Sequence, residues 1–258
     1  MNLLLFEQSE LRDTLLPLND RRAHHILDVL GLEKGDTLRV GMLNGKMGTG
    51  EVVHIEGRCV DLEVRLTDVP PDTHHIELIL ALPRPIMLQR ILKQATVLGV
   101  RHFHLIRSRR VQKSFFQSNL LQAEKLKDIL MQGLEQAMDT RMPEVSVHKR
   151  FKPFVEDVVD TLNPSSRLLA HPGETRSLPD LYREDHMGNG IVLAVGPEGG
   201  WSDYETGCFQ KKGFQCFSMG SRILHVDTAV IVLLSQLLLL QELSATQKSV
   251  PLRDQSPR

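Results

Sequence analysis

Two glycine-bearing stretches in the last quarter of the chain hold the residues most able to do chemistry. Ala194–Glu205 reads Ala-Val-Gly-Pro-Glu-Gly-Gly-Trp-Ser-Asp-Tyr-Glu, and Ser218–Ala229 reads Ser-Met-Gly-Ser-Arg-Ile-Leu-His-Val-Asp-Thr-Ala. Each ends a short apolar run, Ile191–Val195 and Gln215–Ser218, and each leads into a helical pattern. Gly196, Gly199, Gly200 and Gly220 leave backbone donors and acceptors uncovered, as holding a flat adenosine-like group would require. Loops at the carboxyl ends of strands are where open α/β sheets bind ligands. A second set of residues suits a polyanion. Arg107, Arg109, Arg110 and Lys113 crowd one segment beside Phe115 and Phe116, and His148-Lys149-Arg150-Phe151-Lys152 repeats the combination. Cations grip phosphates and aromatic rings stack on bases.

Composition is consistent with both. The chain has 258 residues, 41% hydrophobic and 24% charged, with a net charge of −1. That is ordinary for a globular protein, and no polycation overall. Yet Leu78–Ala123 contains no Asp or Glu while holding eight bases, from Arg84 to Lys113. Such asymmetry places a polyanion at the middle of the chain. Cys59, Cys208 and Cys216 have neither disulfide-framework nor metal-ligand spacing, so a reducing cytoplasm and no metal are expected. The N-terminus lacks the basic region of a signal peptide. The most apolar run, Ala229–Leu240, is broken by Ser235 and Gln236 and reads as a core helix, with no membrane expected.

The elements that must position these residues fall into two patterns. Up to residue 72 the chain alternates as short strands: Leu3–Phe6, then Asp36–Gly41, Gly48–Ile55 and Cys59–Thr67, with turn signals at Asn44-Gly45 and Glu56-Gly57. One helix is expected over Asp20–Gly31, with Ala23, Ile26, Leu27 and Leu30 inward. A small barrel at 1–72 follows, bounded by the Pro70-Pro71 linker. From residue 73 to 245, strands at Ile76–Leu82, Val100–Ile106, Val145–Val147, Arg167–Ala170, Ile191–Val195 and Gln215–Ser218 alternate with helices, which implies a mostly parallel α/β sheet. The helices are expected after Pro85, over Ser118–Ala137 and Phe154–Leu162, from Ser202 (a capping box with Glu205) and from an Asp227 N-cap to about Leu243. Residues 246–258 read as a loose tail.

Gly-Pro-Glu-Gly-Gly at Gly196–Gly200, with Gly-Ser-Arg-Ile-Leu-His-Val-Asp-Thr-Ala at Gly220–Ala229, resembles the signature of the RsmE-like 16S rRNA uridine-N3 methyltransferases of the SPOUT superfamily. That pattern reads Leu-Gly-Pro-Arg-Ile-Leu-Arg-x-Glu-Thr-Ala, so Met219, Ser221, His225 and Asp227 depart from it. His24-His25 and the 135–145 segment also resemble family motifs, with departures at Gly31, Met138 and Asp139. The resemblance implies an α/β SPOUT-type parallel sheet with a C-terminal trefoil knot, preceded by a PUA-like β-barrel that binds RNA. It implies S-adenosyl-L-methionine as cofactor, 16S rRNA of the small ribosomal subunit as partner, and a homodimer. Leu169, Gly196, Gly199, Met219, Gly220, Ile223 and Leu224 are then the cofactor set, with His171-Pro172-Gly173 as a third loop. His24, Arg107, Arg109, Arg110, Lys113 and Arg141 are the RNA contacts.

Methyl transfer from a sulfonium needs no covalent nucleophile, only donor and acceptor held at near-attack geometry. The weakly acidic uridine N3–H must lose its proton, so a base or a stabilising cation is required. Arg222 is the expected cation and Glu198 the expected polarising carboxylate; His225 is a candidate proton acceptor. The departures leave two alternatives, a non-catalytic RNA-binding factor of the same fold and a methyltransferase acting on another RNA.

Overall fold

A computed structural model of the protein describes residues 2–70, 75–182 and 190–249. They form two compact units: 2–70 with 127–142, and 75–126 with 143–182 and 190–249. A single cut between residues 72 and 73, as the linear sequence suggests, misses the return of 127–142 to the first unit.

In the first unit β1 (Leu4–Phe6), β2 (Leu15–Leu18), β3 (Thr37–Met42), β4 (Met47–Glu56) and β5 (Cys59–Asp68) form a five-stranded sheet in the order β1-β3-β4-β5-β2. Only the β1–β3 pair is parallel. Along β5, Val60, Leu62 and Val64 are buried and their neighbours are not, the period of a strand with one wet face. Strand β2 is not among the strands expected from the sequence; it contains Pro17, which is tolerated because β2 is an edge. Helix α1 (Arg21–His24) widens into a π-helical turn, His25–Leu30, closed by Gly31 at φ 63°. The change of pitch keeps Ala23 and Ile26 fully buried but turns Leu30, expected inward, to 43% exposure.

The second unit is a six-stranded sheet with every ladder parallel: β6 (Ile76–Ala81), β7 (Val100–Ile106), β8 (Glu144–His148), β9 (Ser166–Ala170), β10 (Ile191–Val195) and β11 (Gln215–Phe217). Their order is β11-β9-β10-β6-β7-β8. Every residue of β10 is buried, as expected for a strand covered on both faces. Helix α2 (Pro85–Val97) starts on its proline and buries Leu88, Ile91, Leu92 and Ala95. Helix α3 (Ala123–Ala137) starts later than expected, since Asn119–Leu121 is a 3-10 turn capped by Ser118; Ala123 is therefore exposed. After β8, α4 (Phe151–Pro153) runs into π-helical Phe154–Val158. Helix α5 (Leu178–Leu181) carries its own Ser177–Asp180 capping box.

Helix α6 (Asp203–Lys211) begins at the expected Ser202 cap. Helix α7 (Val226–Ser249) starts one residue before Asp227, which sits in the first turn and accepts from the Thr228 N–H at 3.0 Å. By length and composition Val226–Ser244 is able to span a membrane. Val230, Leu233, Leu234 and Leu237 are nonetheless buried in the unit, and α7 packs against α2, the behaviour of a core helix. The expected tail is helical as far as Ser249, and its remainder lies outside the described residues.

Candidate cofactor pocket and basic groove

The chain leaves β6 for β7 and β8 and then fills the other side of the sheet with β9, β10 and β11, so the strand order reverses at β6–β10. Ala170, Val195 and Phe217 end β9, β10 and β11, and the ladders pair Ala170 with both of the others. Three loops therefore leave the sheet at one level, beside a topological switch point. They enclose a pocket. His171 and Pro172 come from the first loop, Gly196, Pro197, Glu198 and Gly200 from the second, and Ser218–Gly220 with Arg222–Leu224 from the third. Val226, Ala229 and Leu233 line it from α7.

Local chemistry explains the glycines. Gly200 and Gly220 hold φ of 71° and 108°, in the left-handed region that a side chain disfavours. At Gly196 a Cβ would lie 3.2 Å from the Trp201 ring. Trp201 is buried at 2% exposure, so that ring has little room to retreat. Backbone bonds brace the loops: His171 N donates to Phe217 O at 2.9 Å, and Gly200 N to Pro197 O at 2.7 Å. His171 Nδ1 and Trp201 Nε1 are buried with no hydrogen-bond partner among the described residues. Buried polar atoms are ordinarily paired, so the His171 ring offers an unused polar group in the pocket wall.

Of the expected cofactor residues, Gly196, Met219, Gly220, Ile223 and Leu224 line the pocket, while Leu169 and Gly199 do not. Leu169 is fully buried inside β9 between β10 and β11. Gly199 instead admits Arg110: a Cβ there would lie 2.9 Å from Arg110 Cδ, and the Arg110 guanidinium donates to the Gly199 carbonyl. Arg110, expected to grip RNA, is thus tied to the second loop. Arg222 and Glu198 both line the pocket and are exposed. His225 is exposed and lies outside the lining. Ile223 is 88% exposed although it lines the pocket. Cys216, in β11, is held above the ordinary thiol value by burial first and by Glu174 second, which keeps it protonated and a poor nucleophile.

A basic groove lies in the same unit. Arg107 and Arg109 line it with Lys149, Arg150 and Lys152, and Phe151 and Tyr204 supply rings. The two basic segments of the sequence therefore meet here. Lys113 opens a 3-10 turn, Lys113–Gln117, and is not part of the lining. One carboxylate fixes the groove. Glu205, 2% exposed, accepts from Arg109 N at 2.7 Å, Ser202 N at 2.9 Å and Ser202 Oγ at 2.8 Å. The capping box is legible in the sequence. Its reach to Arg109, across the fold, is not.

His24 and Arg141 belong to the first unit. His24 is half-buried, with Nδ1 at 2.8 Å from Arg58 Nη1 and 3.4 Å from the Asp28 carboxylate. Arg141 donates to the Pro70 carbonyl at 3.1 Å. Two departures from the resembled pattern have local reasons. Gly31 is the left-handed cap of its helix. Asp139 is buried and accepts from Thr140 N at 2.7 Å and Arg141 N at 3.0 Å. Met138, a third departure, holds φ 56°.

A parallel α/β sheet with a glycine-lined pocket at its switch point has the form of a nucleotide- or cofactor-binding protein, and the basic groove has the charge and rings that suit a nucleic acid. Comparison with known proteins narrows the class. The family model for the RNA methyltransferase domain matches residues 70–238. The ribosomal RNA small subunit methyltransferase E of Treponema pallidum is 31% identical over 232 residues, 89% of this chain and 87% of that protein. Its namesake from Synechocystis is 28% identical, over 91% of this chain and 76% of that protein. The chain belongs to the RNA methyltransferase family, among the ribosomal RNA small subunit methyltransferase E proteins. Its fold is shared with the Neisseria gonorrhoeae enzyme of that name, solved with S-adenosyl methionine, at a TM-score of 0.74 and 22% identity over 92% of this chain and 98% of that one. A putative methyltransferase from Legionella pneumophila, also solved with that cofactor, gives 0.75 and 22% over 92% and 96%.

Proposed function

We propose that the protein transfers a methyl group from S-adenosyl-L-methionine to N3 of a uridine in the 16S rRNA of the small ribosomal subunit. The observation that carries the reading is the pocket where the loops after β9, β10 and β11 converge. The residues fit the cofactor. Gly196 and Gly220 bring main chain without side chains to the lining, Leu224, Ala229 and Leu233 give apolar walls, and His171 Nδ1 has no partner among the described residues. When bound, S-adenosyl-L-methionine supplies an electrophilic methyl on a sulfonium.

The rest is the work of this chain's side chains. Arg222, exposed in the lining and paired with no described residue, neutralises the uracil as its N3–H proton leaves. Glu198, in the same lining, polarises that N–H and passes the proton to water. The cations of the basic groove hold the phosphates, and Phe151 or Tyr204 receives a stacked base. His24 and Arg141 contribute RNA contacts from the first unit. Leu169 and Gly199 act behind the pocket, by packing and by seating Arg110. The same reading carries a PUA-like barrel in the first unit, a trefoil knot at the C-terminus and a cytoplasmic location. It also carries a homodimer, supported by exposed Ile223, Leu239 and Leu243.

Calorimetric titration with S-adenosyl-L-methionine tests the proposal, with Gly196→Val alongside. The wild type should bind and then methylate small subunits lacking the modification. The valine, crowding Trp201 and the pocket, should weaken binding at least about 100-fold, roughly 3 kcal/mol. A wild type that binds no cofactor, even with ribosomal subunits present, would refute the enzyme reading in favour of a non-catalytic RNA-binding factor. Methyl transfer confined to another RNA would refute the assigned substrate.

A further inference from the structure

The strongest cluster of coordinating side chains lies outside the pocket and the groove, on one face of β6, β7 and β8. Glu77 of β6 stands opposite His102 of β7 in the ladder, and His104 follows two residues on, on the same face. A carboxylate oxygen of Glu77, a ring nitrogen of His102 and a ring nitrogen of His104 lie within 4.8 Å of one another. We propose that Glu77, His102 and His104 form a binding site for a divalent late first-row cation, of which Zn²⁺ is the best match.

Two imidazoles and one carboxylate are a donor set that zinc accepts, with bonds of about 2.0–2.2 Å and a water in the fourth position. Ligand atoms around such an ion stand roughly 3.4 Å apart, by the geometry of a tetrahedron with those bonds. The His102 and His104 rings are stacked, with centroids 3.9 Å apart and planes 22° from parallel, so one ring must turn about its side-chain bonds to aim its lone pair at the ion; no strand has to move. The surroundings also suit an ion. His104 Nε2 is 3.0 Å from Glu77 Oε2, and its Nδ1 is 3.3 Å from His148 Nε2. The outer nitrogen of a ligating histidine ordinarily has such an orienting partner. His102 has Ser146 Oγ 2.8 Å from its Nε2 and Glu144 3.8 Å from its Nδ1; the ion takes one of these nitrogens in place of its partner, and the other stays oriented. The Phe154 ring covers His104 and His148 at centroid distances of 5.7 and 4.6 Å. Its segment follows directly on the basic Lys149–Lys152 run. Access is available because the Glu77 and His102 side chains are 31% and 23% exposed, against 2% for His104.

Protons balance without an external acid or base. With both rings neutral, His104 moves its hydrogen from Nε2 to Nδ1 as the cation takes Nε2. It then donates to His148 Nε2, whose own hydrogen shifts to Nδ1. The ion ties β6 to β7 and, through His148, braces the segment that carries the groove.

The test uses the full chain without a histidine tag, stripped of metal and titrated with Zn²⁺ against a chromophoric chelator and with Co²⁺ by visible absorption. One equivalent should bind, with a tetrahedral cobalt spectrum lacking thiolate charge transfer. Glu77→Gln and His102→Gln, both partly exposed and expected to fold, should each weaken binding about 100-fold. His148→Gln, which removes only an orienting partner, should weaken it about 10-fold. Failure of the wild type to take up one equivalent overturns the proposal. So does unchanged affinity in folded Glu77→Gln and His102→Gln, or a thiolate band that vanishes with Cys208→Ser. Should a variant unfold, zinc-dependent ring shifts of His102 and His104 in the wild type decide, and their absence overturns the site.

Discussion

Replacing Glu205 should damage two places at once, and the size of the damage can be worked out. Its carboxylate, 2% exposed, receives the Arg109 N–H, the Ser202 N–H and the Ser202 hydroxyl. A hydrogen bond to a charged acceptor contributes about 1.5–3 kcal/mol, and a buried donor stranded without one costs about 1–3 kcal/mol. The Ser202 N–H is buried and cannot turn to water; the Arg109 N–H lies in an exposed residue and loses less. Glu205→Ala should therefore destabilise the second unit by about 3–5 kcal/mol, lowering the melting temperature by roughly 10 °C in a unit of this size. Glu205→Gln keeps one acceptor oxygen but turns an amide N–H toward the other donor, so about half the loss is expected. The assay is built in: Trp201 is the chain's single tryptophan and sits next to Ser202. Urea unfolding followed by its fluorescence reads this loop directly. A Glu205→Ala midpoint that corresponds to less than about 1 kcal/mol would show that the three bonds do not hold the groove to α6.

Other consequences can be measured separately. Arg222→Ala should lower the turnover of methyl transfer by about 100-fold or more while changing cofactor affinity less than about 3-fold, because the charge is needed mainly as N3 loses its proton; equal losses in both would make Arg222 a binding residue. Removing Lys149 and Arg150 together should flatten the salt dependence of RNA affinity by about 1.4 in the slope of log K against log salt, roughly 0.7 per phosphate contact to a single strand, and an unchanged slope would take the RNA away from the groove. In the first unit, burial opposes ionisation of Glu10 and Asp20, but hydrogen bonds from Arg22 and from backbone N–H groups outweigh it, so both titrate below their ordinary values. Their stabilising effect is thus fully present above pH of about 4.5 and is lost as the pH falls through the lowered values. Acid unfolding of Arg22→Met should begin at higher pH than that of the wild type, and coincident curves would contradict this.

Much of the second unit could be read from local pattern. Short apolar runs marked all six parallel strands within a residue at each end, and the Ser202–Glu205 box marked the start of α6, because these features depend on neighbours in sequence. Local pattern failed where a neighbour distant in sequence decides. Pro17 sits in a strand because β2 is an edge, which is a property of the sheet. Leu30 faces outward because the helix widens into a π turn.

The same division runs through the functional residues. The sequence by itself determined the chemistry available: glycine loops after two strands, an arginine and a carboxylate within them, and basic runs in an acid-free stretch. Only the tertiary structure decided which of these meet. Parallel pairing of β9 with β10 and β11 brought three loops to one level, put Arg222 and Glu198 in one lining, and left Leu169 inside the sheet. It gave Arg110 to the Gly199 carbonyl, set Arg107 and Arg109 in one groove with Lys149–Lys152, and let Glu205 hold the Arg109 backbone to the start of α6. Glu77, His102 and His104, unremarkable along the chain, converge because β6 and β7 lie side by side in register. Residue types and short spacings fix local backbone and reactivity. Convergence depends on ladder register and crossover connections, which belong to the packed sheet as a whole.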